Sequence, residues 1–417
     1  MKIEILGAGR EVGGSGISII DNATNIILDY GLKVNRKGPS SNPLHTQDIS
    51  AIFLSHSHLD HCGSIPLLYK KEDPPFFTNQ ITLDTINLLI KDSFKIAKRE
   101  KYPMSFGKNE VKKMNRFAKL LEYEESVIVD NFVCTMYDAG HIPGSAGILL
   151  EHSSGKKLFY TGDIKLEGSR LLNGCKLPKK VDVLITECTY GAKNHPGRDN
   201  EEKKILEQID EALAAKETVL VPVFALGRSQ EVLLILEKYA DKIAFDGMAK
   251  AASEIVMQYG HYLKDPERLK KILNIVKWVQ SPEERDLVLK QYPIIVATAA
   301  MMSGGPMLYY LRQLKDVPNT KILFVGFLVE DTPGRILLDT GFFKKAEEKY
   351  KVHCEIHQYD LSSHAGRDEL FEIIRRINPK KVICVHGDDC ETFAADVARE
   401  FPNIETYAPK NGDVIEI

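Results

Sequence analysis

His56, His58, Asp60 and His61 fall within six residues, directly after the apolar run AIFL. A turn that concentrates three imidazoles and a carboxylate is costly to bury unless those groups have partners. Neutral imidazole and carboxylate together suit a borderline cation such as zinc. The spacing splits the four into two sets. His56 and His58 are two apart and share one face of an extended segment, whereas Asp60 and His61 follow the turn and point to a second ion. Three more donors stand at strand ends or in glycine-bounded turns: His141 in DAGHIPGSAG, Asp163 in YTGD and His386 in VHGD. Alone each is weak. Jointly they complete two sites of three or four ligands with positions left for water, as a catalytic zinc site requires.

The chain carrying this cluster has 417 residues, enough for two or three domains or one large domain with an insertion. Short strand patterns (KIEIL, GISIID, NIILDYG) precede the cluster. Helical spacing follows over 82–101 and 109–121, and strands return from SVIVDNF to VDVLITE. From residue 191 strands alternate with helices, which argues for a parallel, doubly wound sheet. This predicts a first domain over 1–190, a second over 191–350, and a return to the first over 351–417. The mixed-sign runs KKAEEKYK at 344–351 and EEKK at 201–204 read as solvated helix faces. GAGREVGG resembles a dinucleotide fingerprint, but its glycines are spaced one residue too far and a strand follows where a helix is required. A tight hairpin close to another element is the better reading.

A composition 43% hydrophobic and 27% charged excludes a mostly disordered chain. A net charge of −3 excludes a globally basic nucleic-acid binder but leaves a local basic groove open. No run approaches the ~20 apolar residues of a membrane span, and the start has no signal pattern. Seven cysteines without a C-x-x-C pair predict reduced thiols and a cytoplasmic location. Cys62 reads as a small buried hydrophobe.

LDYG, SHSHLDHCG, GHIPGSAG and YTGD, in that order, resemble the four motifs of the metallo-β-lactamase fold. TECTYG with Glu187, SSHAGRDEL with His364 and VHGD with His386 resemble the three further motifs of the β-CASP branch, which processes nucleic acids. Within the insertion PVFALGRSQE, ATAAMMSGGP and FVGFLVEDTPGR also resemble that family, and the likeness runs from Met1 to Ile417. The wording is most similar to the endonuclease subunit of the cleavage and polyadenylation specificity factor and its archaeal relatives, in a short form without KH domains. The resemblance implies an α/β chain: a metallo-β-lactamase αββα sandwich with an inserted doubly wound α/β β-CASP domain.

It further implies a zinc-dependent ribonuclease with two Zn2+ per chain, endonucleolytic in RNA 3′-end processing or mRNA turnover. One zinc is expected on His56, His58 and His141, the other on Asp60, His61 and His386, with Asp163 bridging. Asp60, Glu187 and His364 are the expected catalytic groups, His364 as general acid and Glu187 as the carboxylate that orients it. Asp29 is expected to hold a ligating imidazole from behind. Histidine at position 386 accompanies the RNA enzymes of the family, so single-stranded RNA is the expected partner. Arg228, Ser229, Ser303 and Gly304 read equally as RNA-binding turns and as plain strand-to-helix turns. No aromatic stacking platform is identified, because Trp278 and the MLYYL segment read equally as core. A homodimer through the C-terminal segment NGDVIEI is implied, although that strand may instead complete its own sheet. The alternatives are a 5′–3′ exoribonuclease of RNase J type, a metal-dependent hydrolase of a small ester or thioester, and a non-catalytic RNA-binding scaffold.

Overall fold

Alternation along the strands decides the layering. Ile3, Ile5, Ile17, Ile19, Ile26 and Leu28 enter one core, while their neighbours Leu6 and Ile27 enter another. The same division recurs on later strands: Leu158, Tyr160, Ile383 and Val385 join the first core, and Phe159, Val382 and Cys384 turn the opposite way. Each sheet therefore has two apolar faces and needs cover on both.

The computed structural model describes residues 1–33 and 40–417. They divide into one unit of Met1–Gly168, Asn173–Asn194 and Ser363–Ile417, and a second of Ser169–Leu172 and His195–Ser362.

In the first unit one seven-stranded sheet runs, in spatial order, through Val414–Glu416, Lys2–Gly7, Gly16–Asp21, Thr24–Tyr30, Ala51–Phe53, Phe76–Thr78 and Ala118–Leu120. The other runs through Glu405–Tyr407, Lys381–Val385, Val183–Glu187, Lys157–Tyr160, Ala146–His152, Phe132–Asp138 and Ser126–Val129. Their inner faces share one core. Helices Gln80–Glu100 and Lys108–Phe117 cover the first sheet through Ile86, Ile90 and Met114. Helices Arg367–Ile377 and Cys390–Glu400 cover the second through Leu370, Ile373, Phe393 and Val397. The result is a helix–sheet–sheet–helix sandwich. The Asn79 side chain starts the long helix by accepting from the Thr82 N–H at 3.0 Å.

One sequence expectation is corrected here. The helix expected over 109–121 stops at Phe117, because Ala118–Leu120 pairs in parallel with Phe76–Thr78 and extends the sheet. The C-terminal Val414–Glu416 pairs antiparallel with Lys2–Glu4 and completes this unit's own sheet. The GAGREVGG loop is as tight as its glycines suggested: a Cβ at Gly7 would lie 2.0 Å from the Gly14 carbonyl oxygen, and one at Gly9 would lie 2.6 Å from the Asn411 nitrogen. Cys62 is fully buried, its thiol donating to the Ser57 carbonyl at 3.2 Å.

The second unit is a six-stranded parallel sheet in the order Lys277–Trp278, Ile243–Asp246, Ile294–Ala297, Thr218–Pro222, Thr320–Phe324 and Glu355–Gln358. Chain order reverses direction within it, as in a doubly wound fold. Val219, Leu220, Val221 and all of Ile294–Ala297 are buried, the continuous apolar runs of strands covered on both faces. Glu355–Gln358 pairs with Thr320–Phe324, so this unit extends to Ser362 and the return expected at 351 lies inside the sheet. The run at 344–351 is not a helix face. Phe342–Lys345 and Glu348–Lys351 form a hairpin, with Phe343 and Tyr350 stacked at 5.1 Å. EEKK does lie on a helix, Arg198–Ala214, but Glu201 and Glu202 are buried and only the lysines face solvent. Arg170 and Arg198 bond Glu202 at 2.6 and 3.1 Å.

Candidate metal centre

The donor residues of the first unit stand where strands end. His56 and His58 follow Ala51–Phe53, and Asp60 and His61 ride the one-turn helix Leu59–Cys62. His141 follows Phe132–Asp138, Asp163 follows Lys157–Tyr160, and His386 follows Lys381–Val385. Asp29 and His386 both hold left-handed backbone, at φ 60° and 50°. Non-glycine residues adopt that region only when the surroundings enforce it. The His386 N–H is tied to the Ala8 carbonyl at 2.8 Å, so the glycine-rich loop braces this histidine.

The side chains converge in two sets. His56 Nε2 and His141 Nε2 lie 3.1 and 3.2 Å from His58 Nδ1, and 3.4 and 3.5 Å from Asp163 Oδ2. A tetrahedral cation with bonds of ~2.0–2.1 Å separates its ligands by about 3.3–3.4 Å, so the four atoms have the spacing such an ion needs. Asp60, His61 and His386 make the second set. There the other carboxylate oxygen, Asp163 Oδ1, lies 3.2 Å from His61 Nε2 and 3.8 Å from His386 Nε2. Asp60 Oδ2 lies 3.7 Å from His386 Nε2. Asp163 thus faces one set with each oxygen. Its Oδ1 is buried without a hydrogen-bond partner, a costly state for a carboxylate unless a cation supplies the missing contact. The residues present fit a pair of borderline metal ions.

Electrostatics agree. Burial, then the neighbouring His56, pushes the His58 pKa down to about 3. Burial and His364 drive His141 down, and burial lowers His386. These rings are therefore neutral, the form that binds metal. His61 goes the other way: burial works against its charge, but Asp163 and Asp29 outweigh it and raise its pKa strongly. The carboxylates demand positive charge at this spot.

The rings are aimed from behind. Asp29 Oδ2 accepts from His61 Nδ1, the Tyr160 hydroxyl and the Ser55 hydroxyl, each at 2.7 Å, while Oδ1 accepts from the Ser55 N–H at 2.7 Å. His141 Nδ1 donates to the Ser363 carbonyl at 2.9 Å, which leaves Nε2 for the centre. His386 Nδ1 pairs with the Ser15 hydroxyl at 2.8 Å. Ser15, Ser55, Tyr160 and Ser363 were not found by sequence reasoning. Ser55, Tyr160 and Ser363 lie inside the motifs SHSHLDHCG, YTGD and SSHAGRDEL without having been singled out there, and Ser15 carried no signal.

A third group adjoins the centre. His364 Nδ1 lies 2.9 and 3.0 Å from the two Glu187 oxygens, and His364 Nε2 lies 3.9 Å from Asp163 Oδ2. Glu187 ends the strand Val183–Glu187, is buried, and also accepts from the Ile164 N–H at 2.8 Å. Burial lowers the His364 pKa, but Glu187 and Asp163 overcome it and hold it at about 9.

The remaining candidates are in the second unit. Arg228 opens the helix Arg228–Ile235. Ser229 is corrected: it is fully buried, and its hydroxyl donates to the Ala225 carbonyl at 2.7 Å, so it is not offered to a phosphate. Ser303 is exposed and a Cβ at Gly304 would meet nothing within 4 Å, so that turn presents open backbone.

A four-layer sandwich with clustered histidines and carboxylates at its strand ends, interrupted in sequence by a parallel-sheet unit, defines a metallo-hydrolase of the metallo-β-lactamase fold with a β-CASP insertion. Residues 229–337 match the Beta-Casp domain family. Residues 349–409 match the Zn-dependent metallo-hydrolase RNA specificity domain, and residues 2–199 match anti-Pycsar protein Apyc1. The chain is 37% identical to probable RNase MJ4 of Methanocaldococcus jannaschii, with all of both chains covered. It is 35% identical to RNase aCSPSF2 of Saccharolobus solfataricus, covering all of this chain and 85% of that one. It is 32% identical to transcription termination factor FttA of Methanocaldococcus jannaschii, covering all of this chain and 72% of that one. A crystal structure of an Enterococcus faecalis V583 protein of unknown function shares the fold, with a TM-score of 0.64 at 16% identity over 100% of this chain and 99% of the other. The chain belongs to the β-CASP family of metallo-hydrolases, among the archaeal relatives of the cleavage and polyadenylation specificity factor.

Proposed function

We propose that this protein is a metal-dependent ribonuclease that hydrolyses single-stranded RNA endonucleolytically, in 3′-end processing or transcription termination. The observation that carries the reading is Asp163, a buried carboxylate with one oxygen turned to each of two donor sets. The names of the relatives, two RNases and a termination factor, support RNA as substrate.

In this reading His56, His58 and His141 would hold one zinc ion, and Asp60, His61 and His386 would hold another, with Asp163 as the carboxylate shared by both sets. Zinc held there would supply Lewis-acid polarisation of the phosphate and acidify water towards neutral pH. The chain's own residues do the rest. Asp29 fixes the ring of His61, and the Ser363 carbonyl fixes that of His141. His364, protonated at neutral pH, gives its Nε2 proton to the leaving oxygen. Glu187 holds the opposite nitrogen and the charge of the ring. Arg228, Ser303 and Gly304 are proposed RNA contacts.

A homodimer through the C-terminal strand is also proposed. Val414–Glu416 is the last strand of its sheet, which leaves an edge for a second chain. A sedimentation experiment showing a monomer that persists at high concentration refutes it. A cytoplasmic location is proposed from the free cysteines. No helix among the described residues is long and apolar enough to cross a membrane.

The test uses one RNA labelled at either its 5′ or its 3′ end, zinc-loaded protein, and Asp163→Ala as control. Internal fragments from both labels, absent with the variant, are expected. Mononucleotides released only from the 5′ label make the enzyme a 5′–3′ exonuclease. No cleavage by metal-loaded protein refutes the ribonuclease reading and favours a small ester as substrate. Metal analysis is expected to give two zinc ions per chain.

A further inference from the structure

We propose that Phe224 and Phe327 form a stacking platform for the bases of single-stranded RNA, an inference that rests on the ribonuclease reading above. Both residues are partly exposed, at 41% and 50%. They follow the ends of two adjacent parallel strands, Thr218–Pro222 and Thr320–Phe324. The crevice at the carboxyl ends of the strands is where open parallel sheets take their ligands.

The two rings line one groove with Pro222, Arg228, Val325 and Gly326. A Cβ at Gly326 would lie 3.7 Å from Arg228 Nε, an ordinary contact distance. The guanidinium therefore stands close to the Gly326 backbone in the groove that both rings line. The Gly326 carbonyl is held from the other side by the Gln358 amide at 2.9 Å, so this floor is anchored to the sheet.

Charge and shape select the occupant. Two partly exposed aromatic rings beside a guanidinium match a strand of alternating bases and phosphates, in which each base has a face to stack and each linkage an anion. Among the described residues that line the groove, Arg228 is the one with a polar side chain. No other side chain there can read the hydrogen-bonding edge of a base. Binding at this platform is therefore expected to be indifferent to base identity while requiring that bases be present.

The experiment measures fluorescence anisotropy of short labelled oligouridylate, oligoadenylate and an abasic ribose-phosphate strand, with the full chain in chelator so that no cleavage occurs. Phe224→Leu and Phe327→Leu keep the apolar bulk and remove the ring. Each is expected to weaken binding of both base-bearing strands about 5- to 100-fold, with the abasic strand unaffected. Phe224→Trp and Phe327→Trp are expected to restore binding to wild-type strength or better. If the leucine variants bind RNA as tightly as wild type, the inference is overturned and the rings belong to a protein contact. It is equally overturned if they lose the abasic strand in the same proportion. If wild-type protein itself neither binds nor cuts RNA, the ribonuclease reading fails first and this inference falls with it. Intact cleavage with unaltered binding in the variants refutes the platform alone.

Discussion

Replacing His364 by alanine tests the assignment of the leaving-group acid. The ring is held by both Glu187 oxygens, at 2.9 and 3.0 Å, and its pKa is held at about 9. At pH 7 the protonated ring then outnumbers the neutral one by about a hundred to one, so the whole enzyme population carries the acid. General acid catalysis contributes roughly 10²–10⁴-fold, and an acid with a pKa near 9 transfers its proton with less driving force than one near 7. The loss is therefore expected in the lower half of the range, about 10²–10³-fold in kcat, or roughly 3–4 kcal/mol of barrier. The discriminating assay is single-turnover cleavage of two matched RNAs. One has an ordinary linkage at the cleavage site, and the other has sulfur in place of the bridging leaving oxygen. A thiolate leaves without a proton, because a thiol ionises near pH 8.5. The His364→Ala deficit is expected to shrink to within a few-fold on the sulfur substrate, while Asp163→Ala stays inactive on both. Equal losses by His364→Ala on both substrates, with metal content unchanged, refute the acid role and make His364 a brace.

Asp29→Asn cannot accept on both side-chain atoms, so the bonds from His61, Tyr160 and Ser55 cannot all persist; metal affinity by competition with a chelator should fall about 10–100-fold. Gly31→Ala would set its Cβ 1.7 Å from the Asp60 carbonyl oxygen; the turn must move, at a cost of about 1–3 kcal/mol or more in urea unfolding, with a matching loss of metal. Glu231, buried in the second unit, accepts from the Leu171 and Arg170 N–H groups at 2.7 and 3.0 Å and pairs with Arg198; Glu231→Ala should destabilise by about 3–5 kcal/mol, and a change under 1 kcal/mol contradicts the network reading. Burial pushes the Asp138 carboxyl up to about 6 from its ordinary 3.8, so the folded state holds that proton more tightly and stability falls as pH rises through about 4 to 6. Full conversion would give about 3 kcal/mol, reduced to about 1–2 by partial exposure; Asp138→Asn should therefore be the more stable protein at pH 7 and equal to wild type near pH 4, and parallel stability curves exclude this cause.

Sequence exposed the part of this protein that is written locally. The cluster at 56–61 packs its donors into one turn, and Asp163 and His386 end apolar runs short enough to read as strands. What supports those donors was not visible, because it is made by pairings remote in sequence. Tyr160 reaches Asp29 across 131 positions, and Ser15 reaches His386 across 371. The second unit's last strand was placed in the first domain for the same reason. Glu355–Gln358 resembles its sequence neighbours, and only its ladder with Thr320–Phe324 assigns it. The hairpin at 342–351 was hidden by lysines and glutamates whose charges mask a period of two carried by Phe343 and Tyr350. Phe224 and Phe327 look like core in a sequence, since nothing local distinguishes an exposed phenylalanine from a buried one.

Satisfaction of buried carboxylates separates structural from functional acids in this chain better than burial does. Glu231 and Asp246 are almost as inaccessible as Asp163. Glu231 is surrounded by donors, and Asp246 is bonded by Arg285, Tyr310 and the Gly247 N–H. Each of those charges is neutralised by the fold itself, which is what a structural role requires. Asp163 has imidazole nitrogens around it at 3.2 to 3.9 Å, and its Oδ1 has no hydrogen bond at all. Burial raises its pKa, yet the charges of His61 and His364 beside it hold it well below the usual carboxylate range. A buried carboxylate ringed by imidazoles, with one oxygen left unbonded, favours an added cation beside it. The physical case for metal at this site therefore stands on the chain's own energetics, independently of the family likeness that agrees with it.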